Sequence, residues 1–164
     1  MRIAVVADTH IPRGSRRLPD ACVERLRAAE LVLHAGDLTG AEFLGELRAL
    51  GPPVAAVRGN MDEPSLRESL PETTVVDIGG GIRIGMVHIP GPRAGREGLL
   101  TARFPGCSAV VYGHTHEPQV ERHGAVWILN PGSPTERRRA PTRTMLELWT
   151  NRDELVPRLI PLGP

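Results

Sequence analysis

The chain has 164 residues, 40% of them apolar and 24% charged, which is the size and composition of one globular domain spanning residues 1–164. A net charge of +1 argues against a nucleic acid or an acidic lipid surface as partner, and no apolar run nears the roughly 20 residues that a membrane helix needs. Aromatic residues make up only 3%, so the core has to be built from Val, Leu, Ile and Ala.

The first half alternates between strand and helix patterns. Residues 2–7 read as a strand, and 19–30 as a helix with Pro19 near its start. Residues 30–34 form a second strand. Thr39 is the expected N-cap of a helix over 40–50, where Phe43, Leu44, Leu47 and Leu50 make one stripe. Gly51 ends that helix, and Pro52 and Pro53 prevent its continuation. Residues 54–57 are a third strand, completing a βαβαβ pattern that predicts a parallel sheet.

The second half changes to hairpins. Residues 73–78 and 81–87 flank Gly79 and Gly80, and a short helix is expected near 95–103. A buried strand follows at 109–112. Residues 119–121 pair with 125–129 across His123 and Gly124, and 144–150 with 154–160 across 151–153. Pro157 marks the last strand as an edge. Two mixed sheets packed face to face, with helices outside, account for this order. Cys22 and Cys107 stand far apart with no secretory segment expected before them, so the chain reads as cytoplasmic with both thiols reduced.

Five polar clusters each follow a strand-forming run. They are Asp8-Thr9-His10, Gly36-Asp37, Gly59-Asn60-Met61-Asp62, His88 and Gly113-His114-Thr115-His116. In an α/β sheet, ligands bind in the crevice beyond the carboxyl ends of the strands. The clusters therefore converge two carboxylates, one amide and four imidazoles on one edge. Mixed oxygen and nitrogen donors suit divalent first-row ions and not calcium. Taken singly, each cluster has a plain structural reading. Asp8 and Asp37 serve as turn or helix caps, Asn60 as a turn residue, and His88 as a rim histidine. Five such clusters in order do not all fit that reading. His34 is assigned to the strand rim and His123 to a hairpin turn, neither with a metal role.

The motif set D-x-H, G-D, G-N, H and G-H-x-H, carried here by Asp8 to His116, resembles the calcineurin-like metallophosphoesterase superfamily. The small size, Gly59-Asn60-Met61-Asp62 and the later Asn130-Pro131-Gly132-Ser133 look like its compact YfcE-like phosphodiesterase branch. The resemblance implies a four-layer αββα sandwich of two mixed β-sheets flanked by helices. It implies two divalent ions, manganese first, with iron, nickel, cobalt or zinc as alternatives. Asp8, His10 and His116 would hold one ion, Asn60, His88 and His114 the other, and Asp37 would bridge them. Asp62 would fix the Asn60 loop, and Asn60 and Asp62 are the expected catalytic pair.

The implied reaction is hydrolysis of a small phosphodiester by hydroxide held between the ions. Two departures qualify the match. Many members carry His after the Asn, where it protonates the leaving group, whereas this chain has Met61. Ile89 stands where a Gly usually follows the metal-binding His, and the second His of that segment is missing. The alternative is a non-catalytic scaffold like the retromer subunit of the same fold, whose expected signature is loss of metal ligands. A nuclease is disfavoured by length and charge, and the Arg137-Arg138-Arg139 triplet reads as a solvated loop. The exposed hairpins leave a homo-oligomer open without requiring one.

Overall fold

A computed structural model describes residues 1–151 and 154–164. Its strands form two mixed five-stranded sheets. One comprises β1 (Arg2–Val6), β2 (Leu31–His34), β3 (Val54–Ala56), β9 (Arg143–Asn151) and β10 (Glu154–Gly163), in the order β10-β9-β1-β2-β3. The other comprises β4 (Thr73–Asp77), β5 (Arg83–Val87), β6 (Ala109–Tyr112), β7 (Gln119–His123) and β8 (Val126–Asn130), in the order β4-β5-β6-β8-β7. The helices are α1 (Asp20–Arg27), α2 (Ala41–Ala49), α3 (Pro64–Ser69) and α4 (Arg96–Arg103).

Strand alternation builds the layers. Ile3 and Val5 of β1 face Ile84, Met86 and Val111 of the second sheet, and this central core lies between the sheets. Ala4 and Val6 point the other way, onto Cys22 and Leu26 of α1 and Phe43 and Leu47 of α2. On the far side, Val110 and Tyr112 pack against Leu100 of α4 and against Phe104. The result is the expected αββα sandwich.

The expected elements are present. Helices α1 and α2 and strands β1 to β3 have shorter ends, whereas β7, β9 and β10 run longer. His123 therefore ends β7 opposite Val126 instead of lying in the turn. Four further details differ. The final hairpin does not extend the second sheet. Instead β9 returns to pair antiparallel with β1, Ile3 opposite Leu148, a partner 145 residues away in sequence. The middle of the second sheet is parallel, β5 with β6 and β6 with β8, and only its edges are hairpins. Helix α3, too short to show periodicity, is announced only by Pro64 at its start. Thr39 is not the cap of α2. Gly40 is the N-cap residue, and Glu63 reaches from 22 residues ahead to accept the Ala41 N–H at 3.0 Å. Of the turn expected at 151–153, Arg152 and Asp153 lie outside the described residues. Among the described residues no helix is long and apolar enough to cross a membrane.

The parallel strands place the five clusters together. Val6 sits beside His34 and His34 beside Ala56 in the first sheet, while Val87 sits beside Tyr112 in the second. Each strand therefore ends at the same level, and the residues that follow share one edge. Backbone bonds continue the alignment past the strands, from Asp8 N–H to Gly36 O and from Gly113 N–H to His88 O.

On the helix side of the first sheet, buried Glu147 of β9 accepts from Arg2 and from Arg25 of α1, the latter at 2.8 Å. Burial pushes its carboxyl up, but the two guanidinium contacts outweigh it and hold the pKa below the ordinary glutamate range. A depressed folded-state pKa stabilises above the unfolded value and is lost as pH falls through the folded one. Replacing Glu147 by Gln is therefore expected to destabilise the fold by about 1–3 kcal/mol near neutral pH. In thermal melts followed by circular dichroism, the gap from the wild type should narrow as pH drops below the ordinary carboxylate pKa of about 4.3. A gap independent of pH would contradict the charged pairing.

Candidate metal centre

The donors expected from sequence meet at the shared edge. Asp8, His10, Asp37, His88 and His116 are buried, whereas Asn60 and His114 are exposed. The cluster thus has a closed floor and an open side.

On one half, His10 Nε2 lies 3.3 Å from His116 Nε2, and His116 Nε2 lies 3.3 Å from Asp8 Oδ1. On the other half, Asn60 Oδ1 lies 3.0 Å from both His88 Nε2 and His114 Nδ1. Asp37 Oδ2 joins the halves, 3.6 Å from His10 Nε2 and 3.3 Å from His88 Nε2. Donor atoms of Asp8, His10 and His116 all lie within 4.8 Å of one another, as do those of Asp8, Asp37 and His88.

The donor set fits divalent cations on three counts. Asp8 Oδ1 is buried with no hydrogen-bond partner, an expensive state for a carboxylate oxygen. The outer nitrogens of two imidazoles lie against backbone carbonyls, His88 Nδ1 by Ala35 O at 2.8 Å and His116 Nδ1 by Glu136 O at 3.2 Å. Donation there turns Nε2 toward the cluster, the orientation a metal-ligating histidine takes. Burial and then the neighbouring charges set the protonation states. His10 is lowered by burial despite Asp37 and Asp8, and His114 by burial and His88, so both present lone pairs. His88 is penalised by burial, yet Asp37 and Asp8 raise it above the ordinary value. Asp37 is pushed up by burial, but His88, the Met61 amide and His10 bring it below the ordinary range.

The backbone is bent to reach this arrangement. Asp8, His10, Asp37, His114 and His116 all have positive φ, from 47° to 71°. Such left-handed conformations are disfavoured for non-glycine residues and gather at functional sites. Two glycines permit the close approach. A Cβ on Gly59 would stand 2.0 Å from Asp37 Oδ1, and one on Gly113 would stand 2.7 Å from Ala35 O and 2.9 Å from His88 Nδ1.

Asp62 touches none of the imidazoles by hydrogen bond. Its two oxygens accept the Gly59 N–H at 2.6 Å and the Thr39 N–H at 2.7 Å, which pins the Asn60 loop to the Asp37 loop. Asp62, one of the expected catalytic pair, thus spends both oxygens on holding the two loops. Met61 is 47% exposed, and its backbone N–H donates to Asp37 Oδ1 at 2.8 Å. His34 is not at the rim. It is fully buried, with Nε2 3.0 Å from Thr9 Oγ1 and Nδ1 accepting the Gly36 N–H, and burial and then His88 lower its pKa to about 3. A neutral His34 therefore braces the Asp8 turn from below. Asn130 and Ser133 act similarly: Asn130 Nδ2 donates to Gly113 O, and Ser133 Oγ donates to Asp8 O at 2.8 Å. Their signal in the sequence is a polar segment directly after a further strand, β8.

Known proteins resemble this chain in sequence and in fold. A probable metallophosphoesterase of Methanothermobacter thermautotrophicus is 39% identical over 137 residues, covering 82% of this chain and 78% of that protein. A probable metallophosphoesterase of Methanocaldococcus jannaschii is 35% identical over 165 residues, covering 99% of this chain and 82% of that protein. The crystal structure of wild-type Vps29 from Entamoeba histolytica, complexed with Zn²⁺, superposes with a TM-score of 0.77 at 27% identity, covering 99% of this chain and 100% of that one. Residues 1–153 match the sequence model of the calcineurin-like phosphoesterase superfamily domain, and the chain belongs to that superfamily.

Proposed function

We propose that the chain is a phosphodiesterase that works with two divalent ions, and that its substrates are small diesters with acidic leaving groups. Asp8, His10 and His116 would hold one ion, Asn60, His88 and His114 the second, and Asp37 would bridge them. The observation that carries this reading is the place of Asp37 Oδ2, within 3.6 Å of a histidine from each half. What the ions supply when bound is Lewis acidity toward the phosphoryl oxygens and an activated water. Manganese suits the mixed donor set, as do iron, nickel, cobalt and zinc.

The chain's own residues set the rest of the chemistry. Asn60 and His114 stand at the open side, so the phosphate anion meets them first. With Oδ1 of Asn60 turned to His88 and His114, its Nδ2 is left to donate to a phosphoryl oxygen. The buried floor of Asp8, His10 and Asp37 keeps bulk water off the opposite face. Met61 cannot transfer a proton, so the leaving oxygen departs as an anion or takes its proton from water. General acid help is worth roughly 10²–10⁴-fold, and its absence weighs most on poor leaving groups. Diesters of phenols should therefore outrun alkyl monoesters.

The non-catalytic alternative is not separated by metal content, since the E. histolytica Vps29 is itself complexed with Zn²⁺. Cleavage separates them. After chelation and Mn²⁺ reconstitution, the chain is expected to hydrolyse bis(p-nitrophenyl) phosphate, and Asp37→Asn to lower kcat/KM by about 10²-fold or more with reduced metal content. No metal-dependent cleavage of either this diester or p-nitrophenyl phosphate would reject the reading. Met61→His should raise the monoester rate by about tenfold or more and add an acidic group to the pH profile. An unchanged rate would show that residue 61 does not limit leaving-group departure. Asp62→Asn should weaken Mn²⁺ binding by about 10- to 100-fold, the range for partners that orient ligands. Calorimetric titration showing wild-type affinity would remove Asp62 from the site.

A further inference from the structure

A groove of about 920 Å³ opens beside the cluster. Asn60 and His88, proposed for the second ion, line it, whereas Asp8, His10, Asp37 and His116 do not, so it opens from that half of the cluster. Pockets for drug-sized ligands span about 300–1,000 Å³, and this one lies near the top of that range. A phosphate with a methyl arm would leave most of it empty.

The walls nearest the donors are apolar. Ile89 follows His88 directly, and Leu99 stands on α4; they are 49% and 53% exposed. Met61, next to Asn60, is exposed as well but does not line the groove. Apolar side chains gathered at one mouth mark a binding surface and not scattered exposure. Another part of the lining is charged. Arg58 and Arg103 share the Glu72 carboxylate at 3.4 and 2.8 Å, and Arg58 Nη1 also donates to Arg67 O at 3.2 Å. Guanidinium groups fixed in this way offer flat faces, which stack well on aromatic rings. The combination of size, apolar walls and planar cations suits a ring and gives a plain alkyl chain nothing at the charged part of the lining.

We propose that this groove seats a ring-bearing ester arm of the substrate, between Ile89 and Leu99 and against the Arg58–Glu72–Arg103 clasp. The assignment rests on the phosphodiesterase reading and narrows it: the substrate is a diester with at least one aromatic arm. It also accords with Met61, since aromatic alcohols leave readily without a proton donor.

The test is calorimetric titration of the full chain, metal-free and Mn²⁺-loaded, with diphenyl phosphate and with dimethyl phosphate. Diphenyl phosphate is expected to bind at least about tenfold tighter, the discrimination an apolar pocket gives. Leu99→Asp should erase most of that preference, whereas Leu159→Asp, on exposed β10, should keep it. Both residues are more than 40% exposed, so neither change threatens the fold. Equal binding of the two phosphates, or a preference that survives both Leu99→Asp and Ile89→Asp, overturns the groove. Cleavage of a diester without ring preference overturns the groove alone. Ring preference in a chain that cleaves nothing overturns the phosphodiesterase reading, and with it the assignment of the groove to a substrate arm.

Discussion

The contact between Ala35 and His88 is the joint on which the site depends. Ala35 ends the first sheet and His88 ends the second, and the 2.8 Å bond from the imidazole to the carbonyl fixes how far the two edges stand apart. Nε2 of the same ring then reaches Asp37 and Asn60, both from the first sheet's loops. Across the gap, the His114 N–H reaches back to Asp8 Oδ2 at 2.9 Å. Without these crossings the sandwich would still bury its core, but the donors of the two sheets would not share atoms.

Holding that joint strains the chain locally. A left-handed non-glycine residue costs about 1–2 kcal/mol, so five of them amount to a large part of the roughly 5–15 kcal/mol that a domain has in total. The strain persists because each bent residue is tied by more than one bond. Asp8 and His10 donate backbone N–H groups to Gly36 O and Asp37 O, Ser133 donates to Asp8 O, and Thr135 Oγ1 donates to Thr9 O at 2.8 Å. His34 completes the scaffold from inside. In a pocket where burial keeps it neutral, it accepts from one loop and bonds to the hydroxyl of the other. A charged group in its place would be an unpaired buried ion.

The strand ends were readable in the sequence because short continuous apolar runs stop abruptly at acidic, amide and imidazole residues, and parallel strands must end at one edge. What escaped reading came from contacts distant along the chain. Glu63 replaces Thr39 as the cap of α2 because α3 brings it back over the helix start, and local spacing carries no sign of that. His34 looks like any strand-terminal histidine until β3 and the Asp8 turn bury it. The return of β9 to β1 is likewise invisible to a local pattern, because Thr144 to Thr150 would suit an edge of either sheet. The groove needed α3, α4 and the Ile89 segment in place together before its walls existed.

Residue 61 shows how this scaffold separates its tasks. The backbone of Met61 has a fixed duty, since its N–H holds Asp37 Oδ1 while Asp37 Oδ2 faces the histidines. The side chain has none of that duty and stands half open to solvent. Any residue except proline has the N–H for the Asp37 bond, so the side chain can vary without loss of that bond. In the proposed mechanism, Met61 puts an apolar group where a proton donor would face the leaving oxygen. The neighbouring Asn60 borders a groove in which two exposed side chains, Ile89 and Leu99, are apolar. On the proposed reading, the absence of a proton donor and the apolar side chains of the groove act in the same direction. Both favour a leaving group that is stable as an anion and large enough to be held by its ring.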